Sequence, residues 1–290
     1  MSESCKTRVI LVGIGGATCS GKTTLAKHLK RILPNSVIIH QDVRSILPSE
    51  YVLNIANLQD FAPVGAPFTT QSPLVHLCQP QEKIPVHPIY QVQDWDAPQG
   101  AIDWPRLIAF LQRVKETGVI PPDHRSHDHL NEQKQVALSD STREKWTSEF
   151  QRLSQETEVK GEKIIWGLVD GFLLYWHPEV IKQLDVRIFL RVPHDVLKHR
   201  RHERHGYHTA VQSDPEGSLW RDPPMYWEQI VWPAYLEANR DIFIDGNVET
   251  GMPSDKVQEL LLINGLELRM DEIVEKSCAA LKRKVEGATS

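Results

Sequence analysis

The chain has 290 residues, 40% of them hydrophobic, and a formal charge of -5 at neutral pH. That suffices for one large α/β domain with insertions or for two small ones. The acidic balance argues against nucleic acid as the main partner, and no apolar stretch approaches the roughly 20 residues that span a bilayer, so no membrane partner is expected either.

In chain order, Glu3 interrupts a purely basic leader and the chain runs straight into a strand, so a secretory signal is not expected. The apolar run Val9-Ile10-Leu11-Val12 reads as a buried strand, and Leu25, Leu29 and Ile32 share one face of a helix that Pro34 ends. Between them lies Gly16-Ala17-Thr18-Cys19-Ser20-Gly21-Lys22-Thr23, which matches the phosphate-binding pattern GxxxxGK[ST] in the strand-loop-helix setting that pattern requires. In such a loop successive backbone N–H groups wrap a β-phosphate and the helix adds its positive end. Lys22 bridges the β- and γ-phosphates, and the Thr23 hydroxyl is a magnesium ligand. Cys19 lies inside the loop as a small tolerated residue, with a redox switch as the alternative. The four cysteines, Cys5, Cys19, Cys78 and Cys278, form no CxxC pair, which suits reduced thiols in a cytoplasmic protein, the nucleus being a second option.

A second strand, Val37-Ile38-Ile39-His40, delivers Gln41-Asp42 at its C-terminal end, where α/β sheets place ligands. Asp42 is placed to orient or deprotonate an acceptor hydroxyl, or else caps a helix. Residues 44–93 are proline-rich with little periodicity and read as an accessory insertion over the active-site face. Asp94-Trp95-Asp96-Ala97-Pro98 follows, in which a carboxylate can grip a ribose diol and an indole can stack on a flat, cationic ring, or which is a turn with an aromatic anchor. Residues 118–138 form a polar loop insertion whose His124, His127 and His129 lack the companions of a zinc site. Ser141-Thr142-Arg143-Glu144 then opens a helix with a capping-box pattern, carrying Trp146, Phe150 and Leu153.

A third strand, Ile164 to Val169, ends in Asp170-Gly171. Asp170 stands where a Walker-B-like acid meets the metal or its waters, or simply forms a turn. A fourth strand, Val186 to Val192, runs into a basic helix with Arg200, Arg201 and Arg204. Arg200 and Arg204 share a face that can clamp a transferring phosphoryl and Arg201 is turned toward a second ligand, or the helix end is merely basic. The fifth strand is read at Ile242-Phe243-Ile244, before Asp245-Gly246-Asn247. Helical patterns between the strands predict an α/β fold of the P-loop NTPase type, a parallel five-stranded sheet sandwiched by helices with a helical or irregular insertion, all in one domain over residues 1–290. Residues 193–226 are expected to form a lid region.

The ordered set GATCSGKTTLAKHL, HQD, DWDAP, VDGFLLYW, LKHRRHERHGY, DPPMYWEQIVWPAY and IDGN resembles the nicotinamide riboside kinases across most of the chain, in a fungal-type form with insertions. The resemblance implies ATP and Mg2+, transfer to the ribose 5'-hydroxyl of nicotinamide riboside or nicotinic acid riboside, and a product that feeds NAD synthesis. It implies ATP on Gly16, Ala17, Thr18, Cys19, Ser20, Gly21, Lys22, Thr23 and Thr24, with Arg200 and Arg204 from the lid and Asn247 and Glu249 near adenine. The nucleoside is implied on Asp42, Trp95, Asp96, Arg201 and Tyr207, and the metal near Thr23, Asp42 and Asp170, with Asp42 and Lys22 catalytic. After Gln41-Asp42 the family usually has a second Asp and an aromatic, where this chain has Val43 and Arg44. The expected partners are ATP and a pyridine nucleoside, and the expected assembly is a monomer or weak homodimer. A uridine or pantothenate-type kinase on the same scaffold is the runner-up, and a nucleotide-binding regulator without an acceptor is the alternative of another class.

Overall fold

A computed structural model describes residues 6–41, 83–119, 136–204, 207–211 and 214–287. Strand β1 (Lys6–Gly16) leads through the phosphate loop into α1 (Lys22–Ile32) and β2 (Ser36–His40). Helices α2 (Trp104–Thr117) and α3 (Asp140–Val159) precede β3 (Glu162–Gly171), and the short α4 (Pro178–Gln183) leads to β4 (Val186–Arg191). Then come α5 (His194–Glu203), the ribbon strands β5 (Tyr207–Val211) and β6 (Asp214–Trp220), α6 (Trp232–Asn239), β7 (Leu260–Asn264) and α7 (Met270–Glu286).

Five strands pair in the order β2-β3-β1-β4-β7, all in parallel, so the expected α/β architecture holds. The central strand β1 is covered on both faces, which is why it reads as a continuous apolar run. Its Val9 and Leu11 join the core layer built with α2, α4 and α6, and its Ile10, Val12 and Ile14 join the layer built with α1, α3 and α7. On α1 the predicted Leu25, Leu29 and Ile32 are buried, and on α3 so are Trp146, Phe150 and Leu153. Tyr175 threads between β1 and β4, its hydroxyl 2.9 Å from both Gly13 O and Ile188 O. Gly15 leaves room for that ring, since a Cβ there would stand 2.4 Å from it.

Two local expectations are corrected. The cap of α3 is Ser139, whose hydroxyl accepts from Thr142 N, so the helix begins before Ser141. The fifth strand is Leu260–Asn264, paired with β4, while Ile242-Phe243-Ile244 lies in consecutive 3-10 turns with a single bridge from Phe243 to Pro253. Ile242 and Phe243 are buried as a strand would bury them, but Asp245 turns to φ 57° and breaks the extended path. The edge beside β4 is filled instead by the longer apolar run Leu260-Leu261-Leu262-Ile263.

The expected lid span of residues 193–226 holds α5 and an antiparallel ribbon, with Tyr207 opposite Trp220. Residues 44–82 of the expected insertion and the histidines at 124, 127 and 129 lie outside the described residues. The end of that insertion is a tight turn closed by a Val86–Gln93 bridge.

Candidate active site

The C-terminal end of β1 meets α1 in a loop whose backbone only a few residue types tolerate. Gly16 has φ 137° and Gly21, the cap of α1, has φ 98°, while Cys19 takes the left-handed region at φ 62°. A Cβ on Gly16 would stand 2.4 Å from the carbonyl oxygen of Leu190. Gly16→Ala is therefore expected to destabilise the fold by about 2 kcal/mol and to weaken nucleotide binding together, read by thermal unfolding with and without ATP. The loop's N–H groups and the start of α1 gather toward one end of the sheet, an anion site by construction.

Lys22 is buried, and its Nζ donates to Ala17 O at 2.7 Å. Thr23 Oγ1 donates to Asp170 Oδ2 at 2.6 Å, which joins the loop to the end of β3. His40, at the end of β2, places Nδ1 3.3 Å from the same carboxylate. Burial works to raise the Asp170 pKa, but His40, Lys22 and Thr23 together hold it below the usual value. A hydroxyl and an ionised carboxylate side by side are the oxygen donors a magnesium-nucleotide site needs. Among the described residues no three His, Cys, Asp or Glu stand together as a metal cage. Asp42 lies outside the described residues; its neighbour Gln41 is fully buried, with Gln41 N donating to Asp170 O and Gln41 Oε1 accepting from Leu173 N.

The second half of the site comes from the DWDAP turn and α5. Asp94 accepts from Asp96 N at 3.1 Å and so shapes the turn, and Trp104 Nε1 donates to Pro98 O and ties it to α2. This leaves Asp96 facing Ala17 and Thr18 across a small cleft whose other walls are Phe172, Leu173 and Trp227, with Val231 and Tyr235. Burial pushes the Asp96 carboxyl up to about 6; Arg201 and Lys22 pull it down, while Asp94 and Asp222 add to the rise. Asp96 thus feels the phosphate-loop lysine and the α5 arginine together. Trp95 is half-buried beside it.

Arg201 is buried and makes a bidentate pair with Asp222, Nε to Oδ2 at 2.6 Å and Nη2 to Oδ1 at 3.0 Å. Its guanidinium lies 5.9 Å from the Tyr226 ring, and the Tyr226 hydroxyl donates to Gln93 O. Arg200 points the other way and donates to Cys19 O at 3.2 Å, so the two arginines divide between phosphate loop and cleft as their helix positions require. Arg204 is exposed at the end of α5. Tyr207 lies on β5, with its side chain outside the description. Asn247 closes a turn on Thr250, Nδ2 to Oγ1 at 2.7 Å, and Arg191 donates to Gly251 O, so this segment packs on the end of β4. Glu249 is exposed there.

Phosphate loop, Thr23, Asp170, Asp96 and Arg201 are therefore brought together. The sequence reading missed Asp222, Tyr226, Trp227 and Phe172. The signal for Tyr226 and Trp227 was present as the aromatic density of DPPMYWEQIVWPAY, and Phe172 stood in VDGFLLYW, but nothing in the spacing showed which side chains meet at the cleft.

No protein-family model matches the chain. It is 27% identical to a nicotinamide riboside kinase of Eremothecium gossypii over 94% of this chain and 92% of that one. It is 29% identical to the nicotinamide riboside kinase of Schizosaccharomyces pombe over 86% of each, and 28% identical to that of Saccharomyces cerevisiae over 83% of this chain and 82% of that one. Along most of its length the chain is similar to nicotinamide riboside kinases, and it holds the phosphate loop, the acid at the end of β3 and Asp96 in one place.

Proposed function

We propose that the protein phosphorylates nicotinamide riboside at the ribose 5'-hydroxyl, with ATP as donor, giving nicotinamide mononucleotide for NAD synthesis, and that nicotinic acid riboside is a second acceptor. The observation that carries this reading is that Asp96 faces Ala17 and Thr18 of the phosphate loop across the cleft and feels the charges of both Lys22 and Arg201. An acceptor gripped in the cleft lies next to a triphosphate cradled by the loop. The new bond runs from the 5'-oxygen to Pγ, the bond from Pγ to the β–γ bridging oxygen breaks, and the hydroxyl proton passes to Asp42. Lys22 and Arg200 neutralise phosphate charge, and Asp96 accepts hydrogen bonds from the ribose diol.

Trp95, Tyr226 and Trp227 supply flat faces for a cationic pyridinium, and the carboxylates of Asp94, Asp96 and Asp222 favour its charge over a neutral pyrimidine. Tyr207 is assigned to the same ring, Arg204 to the nucleotide, and Asn247 and Glu249 to adenine. Thr23, Asp42 and Asp170 are assigned to Mg2+, which when bound neutralises charge on the β- and γ-phosphates. Cys19 and Cys278 are buried thiols outside any disulfide, in keeping with a reducing, cytoplasmic setting. Among the described residues no helix is long and apolar enough to cross a membrane.

The test is ADP release from magnesium-ATP with nicotinamide riboside, nicotinic acid riboside, uridine, pantothenate or no acceptor, with product mass checked. Turnover restricted to the pyridine nucleosides is expected. Turnover with uridine or pantothenate alone replaces the substrate, and no response to any acceptor overturns the kinase reading.

A further inference from the structure

Trp227 walls the acceptor cleft, and its indole is held by a residue that is not itself one of the cleft's walls. Its Nε1–H donates to His194 Nε2 at 2.8 Å, and Nδ1 of that imidazole lies 2.8 Å from Asp195 Oδ1. An indole nitrogen only donates, so Nε2 must accept; the neutral ring then carries its proton on Nδ1, directed at the carboxylate. Trp232 closes the cluster, stacked on Trp227 at 5.9 Å and edge-on to His194 at 4.6 Å. Trp227 also opens a five-residue π-helical turn, Trp227–Val231, a wide turn of the kind that gathers at functional sites.

We propose that His194 is a positioning residue for Trp227: by accepting the indole N–H it fixes the ring that faces the flat base, and so sets the affinity for the nucleoside. This rests on the acceptor reading given above. Trp227 is 1% exposed, so without an acceptor its N–H is buried unpaired and the ring must turn to find another partner. Asp195 is almost fully exposed, so its contribution is small and the His194–Trp227 bond carries the effect.

The test uses His194→Leu, His194→Gln and Trp227→Phe in the full chain. A glutamine amide oxygen reaches the place of Nε2 and accepts; leucine fills similar space and cannot. His194→Leu is expected to raise KM for nicotinamide riboside about five- to tenfold with KM for ATP unchanged, while His194→Gln stays within about twofold of the parent. Adding His194→Leu to Trp227→Phe is expected to change nothing further. The Trp227 indole N–H, assigned by its loss in Trp227→Phe, is expected to exchange faster with solvent in the leucine variant and not in the glutamine variant. Equal KM values for the leucine and glutamine variants, or nucleoside and ATP constants rising together, overturn the proposal. A Trp227→Ala variant separates the two readings: parental nucleoside KM there removes the acceptor assignment of the cleft, whereas a raised KM there with a parental value in His194→Leu removes only the role of His194.

Discussion

Lys22→Ala is expected to lower kcat by on the order of 10²–10³ while leaving KM for the nucleoside within about twofold. The size follows from where the ammonium stands. Lys22 opens α1 with its stem buried, and its Nζ is held against the loop by Ala17 O at 2.7 Å. Its charge lowers the pKa of Asp170 on the metal side and of Asp96 on the acceptor side. In the proposed reaction a single positive charge at that junction would meet the phosphoryl group as its negative charge shifts toward the leaving oxygen, an interaction stronger in the transition state than in the bound substrate. Nucleoside binding should survive well above pH 6, where Asp96 stays ionised without the help of Lys22, because Arg201 and the rings of the cleft are kept. Folding should survive as well, since the loop's conformation is set by Gly16 and Gly21 and the Asp170 carboxylate keeps Thr23 and His40. Lys22→Arg should recover little, because a planar fork does not fit a loop built for a compact ammonium. The measurement is steady-state turnover with the nucleoside varied at saturating ATP, beside nucleotide binding followed by calorimetry. Full turnover in Lys22→Ala removes the residue from the chemistry.

What the chain discloses in advance depends on how local the determinant is. The phosphate loop is contiguous, and each of its fixed residues answers to a local demand: φ at Gly16 and Gly21, a reaching ammonium at Lys22, a hydroxyl at Thr23. Strands β1, β3 and β4 are buried on both faces and so carry unbroken apolar runs that need no knowledge of neighbours. The edge strand was harder. Ile242-Phe243 and Leu260–Asn264 are both short apolar runs, and only the pairing with β4 decides between them. Period and hydrophobicity do not contain that choice. The acceptor half of the site is the same problem in side chains. Asp222 lies 21 positions beyond Arg201, in a segment where every second residue is polar or aromatic, and only the fold shows that it grips both arms of that guanidinium. Resemblance supplied Trp95, Asp96 and Arg201; geometry added Tyr226 and Trp227 and the His194 behind them.

Asp96→Asn is expected to raise KM for nicotinamide riboside about 10- to 100-fold with KM for ATP unchanged, because a carboxylate accepting from a diol is a charge-assisted pair and an amide is not. The pH dependence makes this specific to the charge. Burial among Asp94 and Asp222 pushes the Asp96 carboxyl up to about 6 despite Arg201 and Lys22, whereas the same group in an unfolded chain titrates near 3.8. In the proposed acceptor site, binding the diol and a cationic base requires the ionised form. The parent enzyme should therefore show a nucleoside KM that is flat above pH 7 and rises toward tenfold per unit as pH falls below about 6, and the asparagine variant should lose that inflection. Stability moves in the opposite sense. A carboxyl whose folded value lies above its unfolded value contributes stability that is complete below 3.8 and is lost as pH rises through about 6. At pH 7 the parent thus carries an ionised group that the fold disfavours, and removing its charge should stabilise the protein by about 1–2 kcal/mol after allowance for the partial exposure of the group. A variant that binds its substrate worse and unfolds later is what a carboxylate kept for the ligand predicts. Thermal unfolding of parent and variant at pH 5 and pH 7 reads this directly: the gain from Asp96→Asn should be large at pH 7 and shrink at pH 5. A gain independent of pH, or a KM unchanged by the substitution, places the ribose elsewhere in the site.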